Sequence, residues 1–354
     1  MKLIYAFISA LVITSFAGCK QDFDITADYQ EIPVVYGLLN QQDAVHYIRI
    51  QKGYLIDGDA RLATGITDSI YYPDVLTVSL VGYNAQGAKV DSFTFERVDG
   101  NDPSIGLVKD SGLFANSPAW LYRSSRPLLD TRTYRLVVTN TSNGYTFKSK
   151  TIDNSDIKLI KDFAVNFPNY GSRLNLVNNN AQNINWNDAE NAAIYDVTIR
   201  FFYTEYRASD NSFYKNDSID VPYFRSFAPD LTSSANNRIE FTSDAFLTYL
   251  AAHITSDIEV VREFNVNKGM QFRFACGGNE LYKYIDSRQA QGGLSANEAL
   301  SPYTNIDGGV GLISSRYFKQ VDSVLLSPLG LDTLACSSIT RGLRFKKSNG
   351  VICQ

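Results

Sequence analysis

An all-β protein of two tandem β-sandwich domains, the second decorated with short helices, is the architecture this sequence predicts, on three observations. From residue 32 onward, apolar and polar residues alternate with period two in short runs rich in Val, Ile, Thr, Tyr and Phe. That is the pattern of strands with one buried face. The runs are separated by clusters of Asn, Asp, Gly and Ser, which turn chains. The 354 residues exceed one small core, and hydrophobic and charged shares of 44% and 20% are globular values that exclude disorder and a multi-spanning membrane protein. With Lys+Arg 33 against Asp+Glu 37, the net charge of −4 lacks the basic excess that nucleic-acid phosphates require.

At the start, Met1 and Lys2 precede an apolar run over residues 3–16, closed by Ala17, Gly18 and Cys19. This reads as an export signal, residues 1–18. The run falls short of the roughly 20 apolar residues of a bilayer span, and no later segment approaches that length. Ala17-Gly18-Cys19 resembles the lipobox of bacterial lipoproteins, whose Cys becomes an acylated N-terminus; Phe16 departs from the usual Leu, as in the relaxed lipoboxes of Bacteroidota. The resemblance implies a lipidated Cys19 carrying palmitate-type chains, and a protein held at the outer membrane. Residues 19–30 read as an acidic tether, in which Lys20-Gln21-Asp22-Phe23-Asp24 resembles the signals that send such lipoproteins to the cell surface; the alternative is the periplasmic face.

The first domain, residues 31–153, has candidate strands at 32–39, 45–51, 75–83, 90–97, 120–124, 133–139 and 145–152. Tyr134, Leu136 and Val138 share one face before Ser142-Asn143-Gly144 turns the chain into a hairpin. Residues 53–73 carry Gly53, Gly58 and Gly65 without a clear period and predict a long loop, with the paired rings of Tyr71 and Tyr72 as candidate contacts to a partner or glycan. Asp153, Asn154, Ser155 and Asp156 mark the expected joint.

In the second domain, residues 157–354, strand pattern covers 184–186, 192–199, 201–206, 219–227 and 270–275. Helices are expected at 244–254, with Ser243 as cap and Phe246, Leu250 and Ile254 on one face, and at 279–289 with Leu281, Tyr284 and Ile285. Trp186 followed by the alternation from Ala192 to Ile199 resembles the B and C strands of fibronectin type III-like domains, a branch of the immunoglobulin-like sandwiches, which implies a core role for Trp186. Pro33-Val34-Val35-Tyr36-Gly37-Leu38-Leu39 and the late Tyr303-Thr304-Asn305-Ile306-Asp307-Gly308-Gly309-Val310-Gly311, behind a lipobox, resemble a domain-of-unknown-function lipoprotein family of Bacteroidota. Members of such families lack an assigned activity and are often encoded beside outer-membrane barrels. The resemblance implies a location and a class of partner.

Residue chemistry predicts binding rather than catalysis. The chain has two His, His46 and His253, and no Gly-x-Ser-x-Gly elbow, so neither a metal cluster nor a triad is expected, and no cofactor. The glycines between Asn305 and Gly311 are followed by no Lys-Ser or Lys-Thr and read as a turn or bulge rather than a phosphate loop. Cys336 and Cys353 are the expected disulfide, closing a C-terminal loop worth about 3 kcal/mol, with Cys276 left over and its pairing with either partner open. Among 22 Tyr and 21 Phe, further candidate ring platforms are Tyr203 with Tyr206 and Tyr214 with Tyr223. Ser69, Ser218, Ser323 and Thr333 lie in Asp-Ser/Thr-apolar tripeptides that resemble O-glycosylation acceptors of Bacteroidota. The functional expectation is a surface-exposed outer-membrane lipoprotein acting as a non-catalytic interaction subunit of a barrel complex, a transporter or an assembly machine. The alternative is a glycan- or nutrient-binding lipoprotein feeding a TonB-dependent transporter.

Overall fold

A computed structural model describes residues 32–53, 64–110, 112, 114–150, 156–167, 173–176, 182–227, 236–291 and 303–353. Cys19, with the signal and tether, lies outside the described residues, as do residues 54–63 of the expected loop and 151–155 of the expected joint. The fold is mainly β. The N-terminal strands are β1 (Pro33–Leu39), β2 (His46–Lys52), β3 (Leu76–Tyr83), β4 (Lys89–Asp99), β5 (Trp120–Ser124), β6 (Thr133–Asn140) and β7 (Thr146–Ser149), with a one-turn helix α1 (Thr67–Ile70) before β3. They pair in the order β1-β2-β5-β4-β3-β6-β7. The eleven-residue β4 belongs to two ladders, meeting β3 through its first half and β5 through Glu96 to Asp99. Val35, Ile48 and Ile50 from one ladder thereby meet Val78, Leu80, Leu136 and Val138 from the other in a single aliphatic cluster. Alternation drives this, since each strand has one apolar face to hide.

Short strands β8 (Ile157–Lys158), β9 (Val165–Asn166) and β10 (Arg173–Leu174) lead to β11 (Gln182–Asn187), the long hairpin β12 (Ala192–Arg207) and β13 (Phe213–Phe227), and β14 (Asn236–Phe241). Helix α2 (Ser243–His253), β15 (Val260–Phe264), β16 (Met270–Gly278), α3 (Asn279–Gln291), β17 (Ile306–Asp307), β18 (Val310–Leu326), α4 (Pro328–Cys336) and a 3₁₀ turn (Arg341–Leu343) complete the described elements. Strand β14 pairs with β11 and β11 with β9 in a small sheet; β13-β12-β16-β18 continue the large one. Both faces enclose a second cluster, rich in aromatic rings. Trp186 is fully buried, with ring centroids of Tyr195 and Phe274 at 5.5 Å and Phe224 at 5.9 Å. At the start of α2, Thr242 and not Ser243 holds the cap position, without a side-chain cap bond. The expected gap between 199 and 201 is absent because β12 runs unbroken for 16 residues.

The expected boundary near residue 155 does not separate the hydrogen bonding. Ile32–Gln354 forms one compact unit. Strand β18 starts parallel to β1, from Val34 opposite Val310 to Leu39 opposite Ser315, then continues antiparallel to β16. Strand β17 pairs with β7, and Ile306 and Ile313 fill the N-terminal cluster. The Gly-rich stretch makes this crossing possible. Gly311 has φ +119°, and a Cβ there would stand 1.9 Å from the Val35 carbonyl oxygen, so only glycine lets the backbones approach. Asn305, buried beside it, donates to the Ile313 carbonyl at 2.6 Å and accepts from the Ile313 N–H at 2.9 Å.

Candidate ligand groove

Because Val35, Ile48 and Ile50 point into the aliphatic cluster, the period-two rule sends Tyr36, Tyr47 and Arg49 to the opposite face of β1 and β2. Tyr36 and Arg49 stand directly across the ladder. Leu38, Val45 and Leu121 continue the floor. The β4–β5 connection folds its residues 100–110 back over this floor and presents Leu107, Val108 and Lys109. Hydrogen bonds within the connection hold it: the Asp99 carboxylate accepts from the Asn101 and Ala119 N–H groups at 3.0 and 2.8 Å, and Leu107 N–H donates to Gly100 O at 2.9 Å. Lys109 Nζ donates to the carbonyls of Phe114 and Ala115 at 3.1 and 2.8 Å. Val108 stays 72% exposed at the rim. The resulting groove encloses about 560 Å³, within the range of ligand sites.

Its charge is uneven. At one end Arg316 from β18 donates to Asp43 at 2.8 Å, a paired and locally neutral contact. At the other end stand Arg49 and Lys109, and among the described residues no carboxylate pairs with either. Lys109 lies below the ordinary lysine range, first through withdrawal from water and then through the charge of Arg49. Tyr36 contacts Tyr284 of α3 edge-on with ring centroids 6.2 Å apart, and Arg288 donates to the Tyr284 hydroxyl at 3.0 Å, bringing another cation to this end. Tyr36 is raised above its ordinary value, chiefly by burial and then by the contact with the Tyr284 hydroxyl. Arg49, Lys109 and Arg316, with Asp43 the one carboxylate among the lining residues and Arg288 beside them, make the groove cationic in a chain of net charge −4.

The residues singled out from sequence lie elsewhere. Tyr71 and Tyr72 are 3% and 4% exposed, so the expected contact surface is corrected: helix α1 turns the end of that segment inward, Tyr71 N–H closes on Thr67 O at 2.9 Å, and Tyr72 joins the aliphatic cluster. Buried rings offer no platform to a glycan or a partner. Tyr203 is also buried, whereas Tyr214 is exposed under the Arg207 guanidinium at 4.7 Å. Ser218 and Ser323 are exposed, Ser69 and Thr333 half-buried, and Thr333 donates to Leu329 O at 2.9 Å. Cys336 and Cys353 are bonded, with Cα atoms 5.2 Å apart. Cys276 is a free, buried thiol, pushed up to about 12 by burial, which leaves little thiolate at neutral pH. His46 is 2% exposed, buried beneath the groove's Asp43–Arg316 end. His253 is exposed, stacked on Tyr249 at 3.9 Å, its Nδ1 2.8 Å from Tyr249 O. Among the described residues no three His, Cys, Asp or Glu side chains converge as metal ligands.

No family model matches the sequence, and no curated protein is similar to it. Among solved structures, trypsin-activated alpha-2-macroglobulin from Escherichia coli is similar over 72% of this chain and 15% of its own length, at 9% identity and a TM-score of 0.16. No helix among the described residues is long and apolar enough to cross a membrane.

Of the groove, Tyr36, Tyr47 and Arg49 carried a signal in the sequence, because alternation places them opposite the aliphatic face. Lys109 sits in an unpatterned loop. Arg316 lies 273 residues from Asp43, and no local pattern joins them.

Proposed function

We propose that the protein is a lipid-anchored, surface-exposed binding subunit of an outer-membrane barrel assembly, non-catalytic, which engages its partner through the groove between β1, β2 and the β4–β5 connection. In this reading Cys19 carries the acyl anchor, and the two clusters are the cores of immunoglobulin-like and fibronectin III-like sandwiches. The reading is supported chiefly by one observation: Arg49 and Lys109, unpaired with acids among the described residues, stand at the opposite end from the Arg316–Asp43 pair in a groove whose middle is walled by Leu38, Val45 and Leu121 and by the exposed Leu107 and Val108. Tyr, Arg and large aliphatic residues around a concave floor are the composition of interface cores. The paired Arg316–Asp43 end gives orientation without adding net charge.

The test is a mild-detergent pull-down of the full-length protein from native membranes. The wild-type chain should retain a stoichiometric barrel protein. Arg49→Glu combined with Val108→Asp should lose it while circular dichroism stays unchanged. A folded double variant that retains an unchanged set of membrane proteins overturns the groove as the interface. Cys19→Ser should separately move the protein out of the membrane fraction, and its retention there would refute the anchor.

A further inference from the structure

Within that reading, we propose that the groove recognises an extended peptide segment in which one acidic side chain is next to two large apolar ones, the carboxylate seated between Arg49 and Lys109. The chemistry of the two ends decides the ligand. Arg49 is half-buried, and its guanidinium makes no hydrogen bond or ion pair with a described residue. A guanidinium partly withdrawn from water whose donors no described residue fills favours a planar, bidentate acceptor, which a carboxylate supplies. Lys109 spends two of its three N–H donors on Phe114 O and Ala115 O, leaving one to meet the same anion. Those two bonds hold Nζ in place on the wall of the groove that Arg49 also lines, so the cation is arranged before the ligand arrives.

The rest of the groove sets the ligand's length and polarity. Arg49 stands opposite Tyr36, and Arg316 directly follows Ser315, which stands opposite Leu39. Arg316 thus aligns with the position after Leu39, four residues along β1 from Tyr36, about 13 Å at the rise of a strand. That distance holds the acidic residue and two neighbours. Leu38, Val45 and Leu121 below and Leu107 and Val108 above form apolar walls between the ends. A lone phosphate would fill the cationic end and leave these walls bare. At the far end, Asp43 already neutralises Arg316, so a second acidic side chain gains nothing there. Strand β1 is paired on both edges, by β2 and β18, so recognition rests on side chains and not on an added strand.

The experiment uses the full-length protein in nonionic detergent and two pools of fluorescent hexapeptides, capped at both ends. Each pool has random Leu, Val or Phe around a fixed central Glu in one case and Gln in the other. By anisotropy the Glu pool should bind about tenfold tighter than the Gln pool, the discrimination of one charge-assisted contact. In Arg49→Gln the ratio should fall to about one. Val108→Ser, which removes apolar wall without adding charge, should weaken both pools together and keep the ratio. Excess inorganic phosphate should displace the Glu pool only through ionic strength, matching chloride. Equal binding of both pools, an unchanged ratio in Arg49→Gln, or specific competition by phosphate overturns the carboxylate assignment. If the pools are not distinguished while Arg49→Glu with Val108→Asp still abolishes membrane pull-down, the groove remains the interface and only its ligand chemistry is refuted; loss of neither refutes both.

Discussion

The cluster beneath β1 to β7 is filled chiefly by Val, Leu and Ile, whereas the one enclosed by β11 to β18 holds Trp186, Tyr195, Phe201, Phe241, Phe272, Phe274 and Phe345 in ring-to-ring contact. Aliphatic alternation needs only a partner sheet, and the outer face of β1 and β2 carries the groove. Rings demand specific mutual orientations, and edge-on contacts such as Phe201 with Phe246 and Phe345 tie β12 to α2 and to the chain beyond α4. The aromatic half also sends β17 and β18 across, supplying Ile306 and Ile313 to the other core and Arg316 to the groove. The dependence therefore runs mainly one way. Damage to the aromatic cluster should reach the groove, and damage to the crossing should spare the rings.

The largest effect expected from this asymmetry is that of Trp186→Ala. Removing a fully buried indole should cost about 3–5 kcal/mol through lost transfer energy and the cavity left behind. Because β18 is shared, urea should unfold the variant in one transition by both near-ultraviolet and far-ultraviolet dichroism. Two separate transitions would show that the halves are independent and that the comparison is drawn too tightly.

A smaller and more local loss, about 2–3 kcal/mol, is expected for Gly311→Ala, where an L side chain meets a positive φ and the Val35 carbonyl. The near-ultraviolet signal of the aromatic cluster should persist while hydrogen exchange quickens in β1. Loss of both signals together would mean that the crossing supports the rings as well.

The smallest effect is one of pH. Burial holds His46 below its ordinary value against a weaker opposing pull from Asp43, with Arg316 adding to the depression. The unfolded chain binds this proton more readily than the folded one, so stability should fall as pH drops through about 6.5 and level off below the folded value. The slope is bounded at about 1.4 kcal/mol per pH unit. Urea midpoints between pH 7.5 and 5.5 should flatten in His46→Leu; an identical slope in that variant would assign the dependence to other groups. The depressed carboxylates, such as Asp220 beside Arg200, act in a lower window, losing their contribution as pH falls below about 4.

Local pattern determined much of this protein. Alternation is a property of neighbouring residues, so the candidate strand at 120–124 coincides with β5 and that at 133–139 nearly with β6. The burial of Trp186 followed from an indole set among alternating strands, and the helix over Ser243–His253 from apolar residues at helical spacing. The segment ending in Tyr71 and Tyr72 shows where such reading fails: without a period it resembled an exposed loop, yet its closing apolar run anchors the chain in the core.

What tertiary structure alone decided is the meeting of distant segments. The parallel register of β1 with β18, the burial of Ile306 and Ile313 in the far core, and the convergence of Arg49, Lys109 and Arg316 each depend on contacts hundreds of residues apart or on how a connection folds back. Sequence specifies which face of a strand is apolar, because that is a local free energy of transfer. It does not specify which other strand will cover that face, because several partners bury similar area and the choice rests on shape, on Gly311 permitting a close approach, and on Asn305 filling the last backbone bonds.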